Sequence, residues 1–190
     1  VETQQLELNE VQSIMIQAWS LLLYKQWEAL IQLLATQLSQ FSINDLRDFK
    51  PQLLIAQAHR FLANYGKSHQ QLTNFEKHTT NDPRCRIEIA QLAFARGDYN
   101  KCIKQCERSV NGNINFLPED ILIQYVMSHW HMNNTKKLFS ILPDIVNSHP
   151  QNSDFKVLYI RILAEKSEWL TLLEQADTLE QKLYADVIYQ

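Results

Sequence analysis

Residues 84–114 read RCRIEIAQLAFARGDYNKCIKQCERSVNGNI, and this stretch carries the clearest structural pattern of the chain. Apolar residues recur at three- and four-residue spacing on both sides of the polar run Arg96-Gly97-Asp98. The spacing predicts two amphipathic helices, near 84–95 and 99–110, because residues three or four apart share one helix face. A glycine before an aspartate is typical of a turn between helices. The stretch is therefore predicted to form an antiparallel helical hairpin.

The same pattern extends along the chain. Prolines and glycines separate apolar-periodic segments, and none of these segments alternates cleanly enough to be a strand. We predict helices near 9–24, 27–40, 45–64, 67–80, 84–95, 99–110, 118–131, 135–148, 153–165 and 168–188. They pair into hairpins near 9–40, 45–80, 84–110, 118–148 and 153–188, which we expect to form a single helical-repeat domain over 1–190.

The predicted hairpin junctions recur at a regular period. Gly66, Gly97, Asn133 and Ser167 are separated by 31, 36 and 34 residues. Helical hairpins at such a period must stack to bury their apolar faces. We further expect Trp27, Tyr99 and Trp169, each at the start of a second helix, to pack between helices.

These residues resemble the tetratricopeptide repeat (TPR) family, whose pattern includes Leu-Gly and Tyr in a first helix and Ala-x-x-x-Phe in a second. Ile89-Ala90 stands at the Leu-Gly position, Ala93 at the Tyr position, and Cys102 with Cys106 at Ala-x-x-x-Phe. The resemblance covers about 51–184, and 9–50 more weakly. It implies an all-α, right-handed superhelix (α-solenoid) of about five stacked antiparallel helix hairpins, and a non-catalytic scaffold or adaptor that binds a protein or peptide.

Composition excludes several function classes. The 190 residues include only three glycines, and no window carries a glycine-rich phosphate loop, a nucleophile elbow, a zinc-protease motif or paired C-x-x-C. The net charge of −3 argues against binding to a nucleic-acid backbone. Residues 60–108 are nevertheless basic, with nine cationic and five acidic residues, so an acidic partner would prefer the middle of the chain.

Individual polar residues favour structural roles. Cys102 and Cys106 share a helix face at metal-ligand spacing, but no companion pair exists, so core packing is preferred to metal or redox use. His129 and His131 point about 200° apart on a helix and cannot bind one ion together; we expect His129 in the core. Glu119 and Asp120 follow Pro118, where helix capping explains them better than catalysis. No catalytic residue, metal or cofactor is predicted.

The predicted ligand-binding surface is the concave groove lined by the first helices of the hairpins. Amide, cationic and aromatic side chains there would suit an extended peptide. Arg60 and Arg161 are the expected charge contacts, and an ordinary solvated groove or a glycan site are the alternatives. The predicted groove residues are Gln57, Arg60, Asn64, Arg84, Gln91, Phe94, Gln124, Met127, His131 and Arg161.

Other organisations remain open at this stage. The chain begins at Val1, so it is also compatible with an accessory domain of a larger multidomain enzyme or of an envelope or polysaccharide assembly machine. A homodimer through the terminal helices is a third possibility, because Leu173, Leu179, Leu183, Val187 and Ile188 make the last helix apolar. No apolar segment is long enough to insert directly into a membrane, and three cysteines form no disulfide framework. We therefore expect a cytoplasmic protein, although a leader or anchor could precede Val1.

Overall fold

The computed structural model describes residues 9–79, without the side chain of His78, together with 81–168 and 170–177. All regular structure within these residues is helical, which confirms the all-α prediction. The α-helices are α1 Glu10–Leu23, α2 Trp27–Gln37, α3 Ile43–Phe49, α4 Pro51–Phe61, α5 Tyr65–His78, α6 Pro83–Ala95, α7 Tyr99–Ser109, α8 Glu119–His131, α9 Thr135–Ser148 and α10 Ser153–Glu165. Short 3-10 helices occupy Leu38–Gln40 and Ile114–Phe116, and residues 170–177 are also helical.

The chain divides into two compact units, Val1–Gly112 and Asn113–Gln190. In the first unit each hairpin packs on the next: α1 on α2, α2 on α4, α4 on α5 and α6, and α6 on α7. In the second unit α8 packs on α9 and α9 on α10. The prediction of a single domain stays a prediction.

The hairpin turns share one geometry. Two residues after the end of each first helix the backbone has a positive φ, and the residue that follows donates its backbone N–H to a carbonyl five residues earlier, which is a Schellman cap. In the second hairpin, for example, Ala63 has a φ of 57° and the Asn64 N–H bonds to the His59 carbonyl at 2.8 Å. The positive-φ residues are Lys25, Ala63, Gly97, Asn133 and Ser167.

One predicted junction is misplaced by three residues. The turn of the second hairpin is centred on Ala63, whereas Gly66 is the second residue of α5. Gly66 attracted the prediction because glycine is the usual residue at a positive φ, but here alanine adopts that conformation. With Ala63 in place of Gly66, the spacing from Ala63 through Gly97 and Asn133 to Ser167 becomes 34, 36 and 34 residues.

The predicted helix 45–64 is wrong, because α3 and α4 replace it. Lys50 lies between them in the left-handed conformation, with φ 53° and ψ 48°, and Pro51 begins α4. A residue that precedes proline is disfavoured in the right-handed helical region, and the proline ring is compatible only with the first turn of the new helix. Likewise, the predicted helix 27–40 ends as α2 at Gln37 and continues as the 3-10 turn Leu38–Gln40.

Helix α4 is the centre of the core in the first unit because it is buried on two sides. Ile55 and Ala58 join the cluster of α1 and α2, whereas Leu53 and Ala56 join the cluster of α5 and α6. Small residues such as Ala90 and Cys102 are fully buried, which lets neighbouring helices approach closely. The core thus holds α4 in place and directs its remaining polar face outward.

Two of the three predicted interhelical aromatics are described. Trp27 begins α2 and stacks on Phe61 of α4, with ring centroids 4.5 Å apart and an interplanar angle of 10°. Tyr99 begins α7 and meets Phe94 of α6 edge-on at 5.8 Å. Both packing predictions agree with these contacts, whereas Trp169 lies outside the described residues.

Candidate functional site

A groove of about 290 Å³ opens on the face of the first unit that its first helices line. Trp19 of α1 and Ile87 of α6 both line it, together with residues of α3 and α4. Trp19 remains 43% exposed, so a large aromatic surface faces solvent at the rim. The complete lining is Trp19, Asp48, Phe49, Lys50, Leu53, Leu54, Gln57, Arg84, Ile87 and Glu88.

The groove contains two residues that sequence analysis predicted. Gln57 on α4 is half-buried and can offer its amide to a backbone group, and Arg84 on α6 is exposed. Both residues lie where the prediction placed them, on first helices and on one common surface. Whether this surface binds a ligand stays a prediction.

Arg60 lies in a polar cluster between α4 and α6. Its Nη2 donates to Oε1 of Gln91 at 2.7 Å and lies 3.4 Å from Oε2 of Glu88. The Arg60 side chain is only 10% exposed, and its guanidinium carbon is 4.6 Å from the centroid of the Phe61 ring. Much of the charge that the prediction offered to a ligand is therefore compensated inside the protein.

Lys50 and Asp82 form a second ion pair beside the groove. Asp82 also caps α6, because its carboxylate accepts a hydrogen bond from the Arg84 backbone N–H at 2.8 Å. Burial by itself would raise the pKa of Asp82, but the hydrogen bonds from Lys50 and from the backbone of Arg84 and Cys85 together outweigh it and lower the pKa. The left-handed Lys50 and the start of α6 are thus tied together at the edge of the groove.

The other two predicted residues of the first unit lie beyond this cluster. Phe94 is half-buried against Tyr99, and Asn64 is exposed at the turn into α5. The structure therefore brings Gln57 and Arg84 into one groove, joins Arg60 to Gln91 beside it, and leaves Asn64 at a turn.

Four predicted residues belong to the second unit. Gln124 and Met127 are half-buried on α8, where His131 is exposed, and Arg161 is exposed on α10. The Oε1 atom of Gln124 is buried without a hydrogen-bond partner in the described structure, so this amide retains an unused acceptor. A role for these four residues in ligand binding stays a prediction.

Sequence analysis missed most of the groove wall. Trp19 and Glu88 were not selected, and α3, which supplies Asp48 and Phe49, was not recognised as a separate helix. The dipeptide Lys50-Pro51 carried the missing signal, since a residue before proline marks a probable helix boundary.

The cysteines and histidines whose spacing suggested catalysis or metal binding are mostly packed inside the protein. Cys85, Cys102 and Cys106 are free thiols and buried, and burial raises the pKa of Cys85 to about 12. His129 is buried as expected, edge-on to the Tyr125 ring at 4.7 Å and 3.2 Å from the Asn134 amide, whereas His131 is exposed. Among the residues that the structure describes, no group of three or more His, Cys, Asp or Glu side chains is arranged to hold a metal ion.

The two predicted capping carboxylates lie at a helix start, but no side-chain hydrogen bond caps α8 in the described structure. Glu119 and Asp120 are exposed in the first turn of α8, and Oε1 of Glu119 accepts a hydrogen bond from the Asn152 amide at 2.6 Å.

Within the described chain, no helix has the length and apolar character needed to cross a membrane.

Comparison with known proteins defines the fold. No protein-family model and no curated protein matches this chain. A solved structure described as "MamA RS-1 ArsTM double mutant" is similar to it with a TM-score of 0.77, over 94% of this chain and 97% of that chain. The fold is TPR-like. At 11% sequence identity the similarity concerns the fold alone, and it agrees with the resemblance that the TPR-like residues of 84–114 indicated.

Proposed function

We propose that this chain is a non-catalytic, TPR-like scaffold that binds an extended segment of a partner protein on the face lined by its first helices. The observation that carries the proposal is the groove between α1, α4 and α6, where Trp19 is exposed beside the apolar side chains of Leu53 and Ile87. A peptide-binding groove of this type needs an apolar pocket and a few polar groups that set orientation.

Different groove residues would contact different parts of the partner segment. An apolar side chain of the partner would occupy the space beside Trp19, and a neighbouring carboxylate would meet the exposed Arg84. The Gln57 amide would pair with the partner backbone. Arg60 acts mainly by positioning Gln91, since its own charge faces Glu88. Asn64, Phe94, Gln124, Met127, His131 and Arg161 are retained as proposed contacts.

The proposal is tested by selecting peptides from a displayed library of random dodecamers on the intact protein. We expect enriched peptides to carry an apolar residue beside Asp or Glu. Their affinity should fall about tenfold or more in Trp19→Ala and Arg84→Glu, because each change removes one wall or one charge of the site. The matched control Lys77→Glu alters the same net charge on an exposed residue of α5 and should leave the affinity unchanged.

Two results would contradict the proposal. The first is a selection that yields no peptide with reproducible binding. The second is a set of selected peptides that bind Arg84→Glu and Trp19→Ala as tightly as they bind the unaltered protein. The possibility of an accessory domain in a larger assembly stays a prediction that the intact reading frame would test. Homodimerisation stays a prediction for light scattering, and Leu179, Leu183, Val187 and Ile188 lie outside the described residues.

A further inference from the structure

Helix α7 carries a row of cations on its outer face. Lys101, Lys104 and Arg108 are all exposed, and their spacing of three and then four residues aligns them along one side of the helix. The opposite side is buried through Cys102 and Cys106. At 1.5 Å per residue the row is about 10 Å long. We refer to Lys101, Lys104 and Arg108 as the α7 basic row.

Two hollows extend this row at its ends. At the start of α7, Arg96 and His69 join Lys101 around a hollow of about 290 Å³. At the end of α7, Arg86 joins Lys104 and Arg108 around an open hollow of about 460 Å³. Five Lys and Arg side chains therefore follow one another from Arg96, through the α7 basic row, to Arg86.

Cations outnumber the acidic side chains around these two hollows, where five Lys and Arg residues stand against Asp98 and Glu107. Asp98 uses its carboxylate to cap α7, accepting a hydrogen bond from the Lys101 backbone N–H at 3.1 Å, and Glu107 is half-buried beside the second hollow. Two ion pairs of this unit, Lys50 with Asp82 and Arg60 with Glu88, lie at the groove and use none of these five cations. The basic excess of residues 60–108 thus includes a defined external surface.

From this arrangement we infer that the α7 basic row is a second binding surface, which takes an acidic segment of a partner protein. On a helix, carboxylates three or four residues apart have the same spacing along one face as Lys101, Lys104 and Arg108 have along α7. A helix with acidic residues along one face is therefore the matching ligand. The α7 basic row lies on the second helix of its hairpin, and none of its three residues lines the groove between α1, α4 and α6. This inference is therefore independent of the proposed function.

The same surface suits a nucleic acid less well. A phosphate backbone carries a continuous line of charge that would also run past Asp98 and Glu107, whereas an acidic helix can present its carboxylates to the three cations alone; the chain as a whole also has a net charge of −3. Tyr99, the aromatic residue of α7, is half-buried against Phe94 and is not presented for base stacking.

The test measures binding of a fluorescent 18-residue alanine-based helix with glutamates along one face, at low salt and at physiological salt. A peptide of identical composition, with its glutamates spread around the helix, serves as the control ligand. The charge-reversed variant is Lys101→Glu, Lys104→Glu, Arg108→Glu. The control variant is Lys67→Glu, Lys77→Glu, Lys136→Glu, which makes the same charge change on exposed residues of α5 and α9. Circular dichroism confirms that both variants keep their helix content.

We expect the one-faced peptide to bind more tightly than the control peptide and to lose at least tenfold in affinity in the charge-reversed variant. The control variant should differ from the unaltered protein by less than twofold. Equal losses in both variants would overturn the inference, because only net charge would then matter. Absence of peptide binding at low salt would also overturn it. The inference would likewise fail if a 15-nucleotide single-stranded DNA bound more tightly than the one-faced peptide and lost the same affinity in the charge-reversed variant.

Discussion

Arg60 on α4 and Gln91 on α6 are joined by a hydrogen bond of 2.7 Å from Nη2 to Oε1. Glu88, one turn before Gln91, lies 3.4 Å from the same nitrogen, and both charged side chains are largely buried. Removing one partner of such a cluster takes a charge-assisted hydrogen bond out of a largely buried position, which lowers stability. The cluster therefore connects two consecutive hairpins and sets the position of Gln91 on the groove face.

We predict that Arg60→Ala lowers the free energy of unfolding by about 2 kcal/mol, because it removes a largely buried hydrogen bond to Gln91 and the positive charge that faces Glu88. The control Arg161→Ala, at an exposed residue, should cost less than about 0.5 kcal/mol. Urea denaturation followed by circular dichroism measures both. The double variant Arg60→Met, Glu88→Leu should cost less than the sum of the single losses. Equal effects of Arg60→Ala and Arg161→Ala would contradict a connecting role.

The turn geometry predicts opposite responses to exchanges of alanine and glycine. Ala63→Gly should raise stability by about 1 kcal/mol, since glycine adopts a positive φ without the clash of Cβ. Gly66→Ala should also stabilise, by about 0.5 kcal/mol, because Gly66 is helical and a Cβ there would meet no atom within 4 Å. Gly97→Ala, at a φ of 75°, should lower stability by about 1 kcal/mol. Thermal melting of the three variants gives these signs directly, and destabilisation by Gly66→Ala would mean that the turn is misassigned.

His59 predicts a dependence of stability on pH. It is buried, and the Nδ1 atom has no hydrogen-bond partner in the described structure. Burial, together with the nearby positive charge of Lys67, lowers the pKa of His59 below its ordinary value of 6.5. The unfolded chain therefore takes up a proton at a higher pH than the folded chain does, so stability should fall as the pH drops below about 6.5.

The measurement for His59 is urea denaturation at pH 7.5 and pH 5.5. We expect the loss of stability between these values to shrink in His59→Leu, because that variant cannot be protonated. His69→Leu removes an exposed histidine and is the control. An unchanged pH dependence in His59→Leu would assign the effect to other groups.

The burial of the three cysteines predicts that their thiols react slowly in the folded protein. Cys85, Cys102 and Cys106 are all buried, and the pKa of Cys106 is raised by its hydrogen bond with Cys102 and by burial. A disulfide reagent such as DTNB at pH 8 should therefore react slowly with the native protein, since the thiolate is the reactive form. All three thiols should react at once in concentrated urea. Rapid labelling of a native thiol would show that at least one of these helices opens readily.

Local sequence was sufficient to predict most of the fold. The three- and four-residue apolar spacing of 84–110 correctly indicated α6, α7 and the turn at Gly97, because these features depend on neighbours within one or two turns. The same reasoning failed at Ala63, where packing keeps alanine in a conformation that glycine usually occupies. It also failed at Lys50, because the influence of Pro51 on the preceding residue was not weighed against the apolar pattern.

The candidate site was less predictable for a physical reason. Helical periodicity selected Gln57 and Arg84 correctly as members of the first-helix face. It could not indicate that Arg60 meets Glu88 and Gln91, which are 28 and 31 residues away. It also did not select Trp19, because its exposure depends on the other walls of the groove.

The helical hairpins and their repeat could be read from local sequence, since periodicity and turn chemistry act over short distances along the chain. Which charged side chains form ion pairs inside the protein, and which remain at the surface, depends on the packing of the helices. Arg60 is compensated by Glu88, whereas Lys101, Lys104 and Arg108 stay exposed along α7. The reason is that ion pairing depends on distances between helices that are remote in sequence, and packing of the core sets those distances.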